Sequence, residues 1–122
     1  MAHLLVVEDE DAYREFLAMA LEMEGYQVSS VESGEEALER LQSHPPDLVI
    51  LDLSMPAISG WDVLRFVRGT ALLTHLPVLV LTANAGEETR RRSHQERATA
   101  LLIKPVSLDE ILEAIDQALP PA

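Results

Sequence analysis

The chain has 122 residues, 48% of them hydrophobic, which suits one domain built on one core. Nine Lys and Arg against 21 Asp and Glu leave a formal charge of −12, which argues against direct binding to a nucleic-acid backbone or to an anionic lipid surface. With no cysteine there is no disulfide framework or thiolate metal site, and with no basic leader or long apolar span after Met1 a reducing cytoplasm is the expected compartment.

Leu4 to Val7 reads as a first strand, ending at Glu8 and Asp9. Tyr13, Phe16, Leu17, Ala20 and Leu21 then follow the i, i+3, i+4, i+7, i+8 spacing of an amphipathic helix, which Gly25 ends. Gln27 to Val31 is more polar, as an edge strand would be. Ser33-Gly-Glu-Glu36 has capping-box spacing ahead of a helix that buries Ala37, Leu38 and Leu41 and stops at Pro45 and Pro46. Leu48 to Leu51 is continuously apolar, the pattern of a strand covered on both faces, and it ends at Asp52. A loop over residues 54–60 precedes a helix marked by Trp61, Leu64 and Val67 and ended near Gly69. Pro77 introduces the strand Val78 to Leu81, which ends at Thr82.

Residues 87–97 should hold the next helix, yet they contain no large apolar side chain, so that helix is expected to be short or loosely held. They gather Arg90, Arg91, Arg92, Arg97 and His94 on an acidic chain. The plain reading is a solvated face balanced by Glu87, Glu88 and Glu96, and the sharper one is a movable docking surface for an acidic partner. Leu101 to Ile103 forms the last strand, ending at Lys104. A second capping box, Ser107-Leu-Asp-Glu110, opens a helix lined by Leu108, Ile111, Leu112, Ile115 and Leu119 and closed by Pro120 and Pro121.

Strand and helix thus alternate five times, the signature of an α/β fold with a parallel sheet and helices on both faces. In such sheets ligands bind beyond the carboxyl ends of the strands, where Glu8, Asp9, Asp52, Thr82 and Lys104 all fall. Three carboxylates held together repel one another unless compensated, and a divalent cation with the Lys104 ammonium would offset their charge. Mg²⁺, a hard ion with oxygen ligands, fits best, and Mn²⁺ is a workable substitute. Asp52, at the end of the most apolar strand, is the nucleophile candidate, because a carboxylate can form an aspartyl-phosphate without a general base. Thr82 and Lys104 supply a hydroxyl and an ammonium for the phosphoryl oxygens. Taken singly, Glu8, Asp9 and Asp11 could be helix caps, Asp52 a loop acid, Thr82 a β-branched strand end and Lys104 a snorkelling lysine. Together those readings leave the convergence of four strand ends unexplained. His3, His44, His75 and His94 lack metal-ligand spacing and are expected at the surface.

The segments Val6-Val-Glu-Asp-Glu10, Leu51-Asp-Leu-Ser-Met-Pro56 with Gly60, Leu81-Thr-Ala83 and Ile103-Lys-Pro105 span nearly the whole chain, and through them it resembles the receiver domain of bacterial two-component response regulators. The resemblance implies a single receiver domain over residues 1–122 with a flavodoxin-like doubly wound (βα)5 fold, strand order 2-1-3-4-5. It implies phosphorylation of Asp52 from a kinase phosphohistidine, with Asp9, Asp52 and the Ser54 carbonyl on the metal and Glu8 reaching it through water. It places Thr82 and Lys104 on the phosphoryl group and makes the peptide before Pro105 cis. The partners it implies are a sensor histidine kinase or histidine phosphotransfer protein and a downstream target or fused output domain, with no direct nucleic-acid or membrane contact and a homodimer open to it. Such a domain is a phosphoacceptor switch rather than an enzyme, catalysing at most its own phosphorylation and dephosphorylation. Three departures stand out, one of them the apolar-poor fourth helix over residues 87–97. Leu101 replaces the usual aromatic that couples to the threonine, leaving rearrangement of the loop after Thr82 to carry the signal. Arg97-Ala98 replaces a common Gly-Ala. The competing readings are a small metal-dependent phosphatase, which would generally need a second acid where Ser54 stands, and a degenerate receiver acting only as an interaction module.

Overall fold

A computed structural model describes residues 2–120, so Met1, Pro121 and Ala122, including the second of the two closing prolines, lie outside the described residues. Five strands, β1 (His3–Val7), β2 (Gln27–Val31), β3 (Leu48–Asp52), β4 (Val78–Thr82) and β5 (Ala100–Ile103), form one parallel sheet in the order β2-β1-β3-β4-β5. Helices α1 (Asp11–Met23), α2 (Gly34–Ser43), α3 (Gly60–Gly69), α4 (Glu87–Gln95) and α5 (Leu108–Ala118) alternate with them, as the sequence pattern requires. A short 3₁₀ turn, Ala71–Leu73, was not legible beforehand.

The period of two along the central strands splits the core into two layers. Leu4, Val6, Leu48, Ile50, Leu79 and Leu81 face α1 and α5 and pack with Leu17, Leu21, Ile111 and Ile115. Leu5, Val7, Val49, Leu51, Val78 and Val80 face the other way, onto Ala37 and Leu41 of α2 and Val63, Leu64 and Val67 of α3. Burial on both faces explains why these strands are unbroken apolar runs.

Local chemistry sets the helix ends. Gly25, at φ 100°, takes the left-handed position after α1, and its N–H and that of Tyr26 bond back to Glu22 and Leu21. At α5 the expected capping box forms in full between Ser107 and Glu110. At α2 only half of it forms: Ser33 accepts from the Glu36 N–H, while the exposed Glu36 side chain does not return the bond. A further full box, Ser59 with Asp62, opens α3 and was not anticipated. The α1 stripe is narrower than expected, because Leu17 and Leu21 fill the contact with the sheet and leave Phe16 on the flank, 54% exposed. His3 also departs from expectation: it is partly covered, and its Nε2 lies 2.8 Å from Ser29 Oγ on the neighbouring strand.

Helix α4 is short, as its composition predicts, and only Ser93 is buried in it. Polar contacts join it to α3: Arg92 lies over the Trp61 ring at 4.5 Å, and Arg65 pairs with Glu96 at 2.6 Å. Arg97 follows in the left-handed region at φ 63°, where the related pattern has glycine. Arg68 braces that turn, donating to the carbonyls of Arg97, Thr74 and Leu76. Leu101 pairs in register with Val80 and is partly buried against the layer that holds α2 and α3. Among the described residues no helix is long and apolar enough to cross a membrane.

Candidate phosphoacceptor and metal site

The carboxyl edge of the sheet collects the predicted groups because each strand ends at one of them. Glu8 and Asp9 follow β1, Asp52 is the last residue of β3, Thr82 the last of β4, and Lys104 follows β5. Main-chain bonds fix these ends together: Glu8 N–H donates to Val31 O, Leu53 N–H to Leu81 O, and Lys104 N–H to Thr82 O at 2.7 Å. The Lys104–Pro105 peptide is cis, as the resemblance implies.

Oxygens of Glu8, Asp9 and Asp52 lie within 4.8 Å of one another. Glu8 and Asp52 are buried, at 1% and 4% exposure, while Asp9 is exposed at the mouth. No helix cap is made by these acids, since the N-cap of α1 is Glu10 and carries no side-chain cap bond. Instead Glu8 Oε2 accepts from the Glu10 N–H, and Glu8 Oε1 accepts from Lys104 Nζ at 3.0 Å. Lys104 therefore does not snorkel outward. Its ammonium also stands 3.7 Å from Asp52 Oδ1, which in turn accepts from the Ser54 N–H at 3.2 Å. Asp52 Oδ2 takes no hydrogen bond from the described residues, and no buried side-chain oxygen among them lacks a partner, so this oxygen meets solvent. One oxygen of this carboxylate is pinned and the other is open to an incoming group.

Burial and then the charge of Glu8 raise the Asp52 pKa from 3.8 to about 6. Burial works against the Lys104 ammonium, but the hydrogen bond to Glu8 and the charges of Asp52 and Glu8 outweigh it and raise its pKa. The site thus holds a carboxylate that gains from added positive charge beside a lysine that stays charged. An all-oxygen donor set of this size and charge fits a hard divalent cation. Thr82 is buried, and its Oγ1 accepts from the Asn84 N–H at 3.0 Å, which leaves the hydroxyl proton to donate. Ser54 lies exposed in the loop after β3.

Two groups here were missed in the sequence. Arg14 Nη1 holds the Glu8 carbonyl at 2.9 Å and Nη2 pairs with Asp11 at 2.6 Å. Tyr13, read only as part of the apolar stripe, places its ring centroid 5.1 Å from Lys104 Nζ. Its position on the first turn of a helix starting at the acidic edge was the available signal.

Residues 4–116 match the family model described as the response regulator receiver domain. The phosphate regulon transcriptional regulatory protein PhoB of Rhizobium meliloti is 37% identical over 95% of the chain, and the polar-differentiation response regulator DivK of Brucella ovis is 31% identical over 95%. The chain spans 51% of the length of the former and 94% of the latter. The crystal structure of Vibrio cholerae chemotaxis protein CheY4 at low pH superposes with a TM-score of 0.92 at 29% identity, covering 98% of this chain and 99% of that one. A response regulator from Chloroflexus aurantiacus gives 0.90 at 32% identity, covering 96% of each. Sheet order, edge chemistry and family match agree, and the chain belongs to the response regulator receiver family of two-component signalling.

Proposed function

We propose that this domain accepts a phosphoryl group on Asp52 and changes its affinity for a partner when it does so. The donor is the phosphohistidine of a sensor histidine kinase or a histidine phosphotransfer protein. The recipient of the signal is a downstream protein or an output domain fused to this one. The observation that carries the reading is the buried Asp52 carboxylate, its Oδ1 3.7 Å from the Lys104 ammonium and its Oδ2 open to solvent.

The open Asp52 oxygen attacks phosphorus, an O–P bond forms, the P–N bond to the donor imidazole breaks, and its electron pair returns to nitrogen. No proton need leave Asp52 once it is ionised. A Mg²⁺ ion, or Mn²⁺ in its place, held by Asp9, Asp52 and the Ser54 carbonyl with Glu8 behind them, would supply charge neutralisation for the carboxylates and the incoming oxygens. Lys104 holds a phosphoryl oxygen from the β5 side, and the Thr82 hydroxyl donates to another from β4. Because Thr82 Oγ1 also accepts from Asn84, drawing it toward phosphate moves the start of the loop that leads to α4. With few apolar contacts to resist, α4 is the element that responds. The work is one phosphoryl group per chain rather than turnover of a separate substrate, and its setting is the cytoplasm.

Transfer from a radiolabelled phosphohistidine donor tests the reading. One label per chain, abolished by a chelator, is expected. Sustained release of phosphate from a generic phosphate ester without a labelled chain would instead favour a phosphatase.

A further inference from the structure

Tyr13, Leu17 and Leu21 share one face of α1 at intervals of four. Leu17 and Leu21 are buried against the sheet, whereas Tyr13, one turn nearer the acidic edge, is only partly covered. Its ring centroid is 5.1 Å from Lys104 Nζ, and it stacks on Phe16 with centroids 6.4 Å apart and planes at 20°. Together with Glu10, Ala83, Lys104, Pro105 and Val106 it lines a cleft of ≈ 400 Å³ at the mouth of the site. Burial, opposed by Lys104 and aided by Glu8 and Asp52, raises the Tyr13 pKa, so the ring is neutral at pH 7.

The ammonium of Lys104 has three donors, one committed to Glu8, while Asp52 Oδ1 stands 3.7 Å away, beyond hydrogen-bond reach. A third carboxylate would grip it and compete with an incoming phosphoryl oxygen. A ring face attracts the cation through its quadrupole without offering a lone pair that must be displaced. We propose that Tyr13 is a positioning residue for phosphoryl transfer, its ring face holding the Lys104 ammonium over Glu8 and Asp52 while the N–H donors not bonded to Glu8 stay available to phosphate. The inference rests on the reading of Asp52 as phosphoacceptor.

Rates of phosphorylation by acetyl phosphate with Mg²⁺, followed by intact mass, test it in wild type, Tyr13→Leu, Tyr13→Phe and each of these with Lys104→Ala. Tyr13→Leu should be roughly 3- to 10-fold slower, the range a partly exposed cation–π contact spans. Tyr13→Phe keeps the ring and should recover most of that loss. In the Lys104→Ala background the Tyr13→Leu effect should vanish, because the ring then has no cation to hold. An effect that persists there, or a Tyr13→Phe as slow as Tyr13→Leu, would overturn the proposal. So would a Tyr13→Leu as fast as wild type. A wild type that takes up no phosphate would defeat the functional reading instead. In that event NMR still decides the contact: the Lys104 Hε protons should be ring-shifted upfield in wild type and Tyr13→Phe but not in Tyr13→Leu, and equal shifts in all three would refute it.

Discussion

Lys104 Nζ stands 3.0 Å from Glu8 Oε1, joining the two ends of the sequence across the sheet edge. Glu8 is 1% exposed, so removing that ammonium would leave a buried carboxylate without its ion-pair partner. Lys104→Ala should therefore cost about 1–2 kcal/mol in chelator at neutral pH, less than for a fully buried pair because the lysine side chain is 27% exposed. Added Mg²⁺ should return part of the loss. Urea midpoints with and without the ion check both, and an unchanged midpoint in chelator would contradict the dependence.

Asp52 makes the opposite contribution in the ion-free protein. Its pKa is raised from 3.8 to about 6 by burial and by Glu8, so between those values the folded state keeps a proton that the unfolded chain has lost. Its contribution to stability is full below pH 3.8, falls as the pH rises to about 6 and is then level. Asp52→Asn should stabilise the ion-free protein at pH 7 by on the order of 1–3 kcal/mol, with the gain shrinking toward pH ~4. Mg²⁺ held by Asp52 as proposed would compete with that proton, so its affinity should drop about tenfold per unit below pH ~6. Unfolding and Mg²⁺ titrations at three pH values measure both effects, and a pH-independent affinity would be inconsistent with them.

Gly60 opens α3 against the end of β3. A Cβ there would collide with the Asp52 carbonyl oxygen and lie 2.7 Å from Leu53 Cα, both main-chain atoms of a buried segment that has little room to retreat. Gly60→Ala is expected to cost about 2 kcal/mol or more and to weaken Mg²⁺ binding by displacing Asp52. Unfolding and ion titration of the variant would show it, whereas wild-type values for both would mean that the β3–α3 junction yields easily.

Arg97 adopts φ 63° in the turn after α4, with its carbonyl held by Arg68 at 3.0 Å. Glycine reaches that conformation without the Cβ penalty, so Arg97→Gly should gain about 0.5–1 kcal/mol, net of its greater freedom in the unfolded chain. Arg68 contacts the carbonyl rather than the side chain and should be unaffected. A lower melting temperature for the variant would run against this account.

Alternation of strand and helix was legible because burial on two faces requires unbroken apolar runs such as Leu48–Leu51, and the site was legible because each run stops at a chemically suited residue. Contacts between elements were not. The spacing that puts Phe16 on the apolar side of α1 cannot say that Leu17 and Leu21 already fill the sheet contact. Ser33 and Ser59 both offer capping-box spacing, and only the rotamer at the third position decides whether the box closes. Tyr13 looked like core because a helical stripe shows period but not which end meets Lys104. Arg97 in a left-handed turn is likewise invisible to propensity, since the brace from Arg68 comes from 29 residues away.

Incubation with acetyl phosphate and Mg²⁺, followed by intact mass of the wild type and of Asp52→Asn, tests the central claim most directly. The account predicts one added phosphoryl group on the wild type and none on the variant. Equal phosphorylation of both, or none on a folded wild type that binds Mg²⁺, would contradict it.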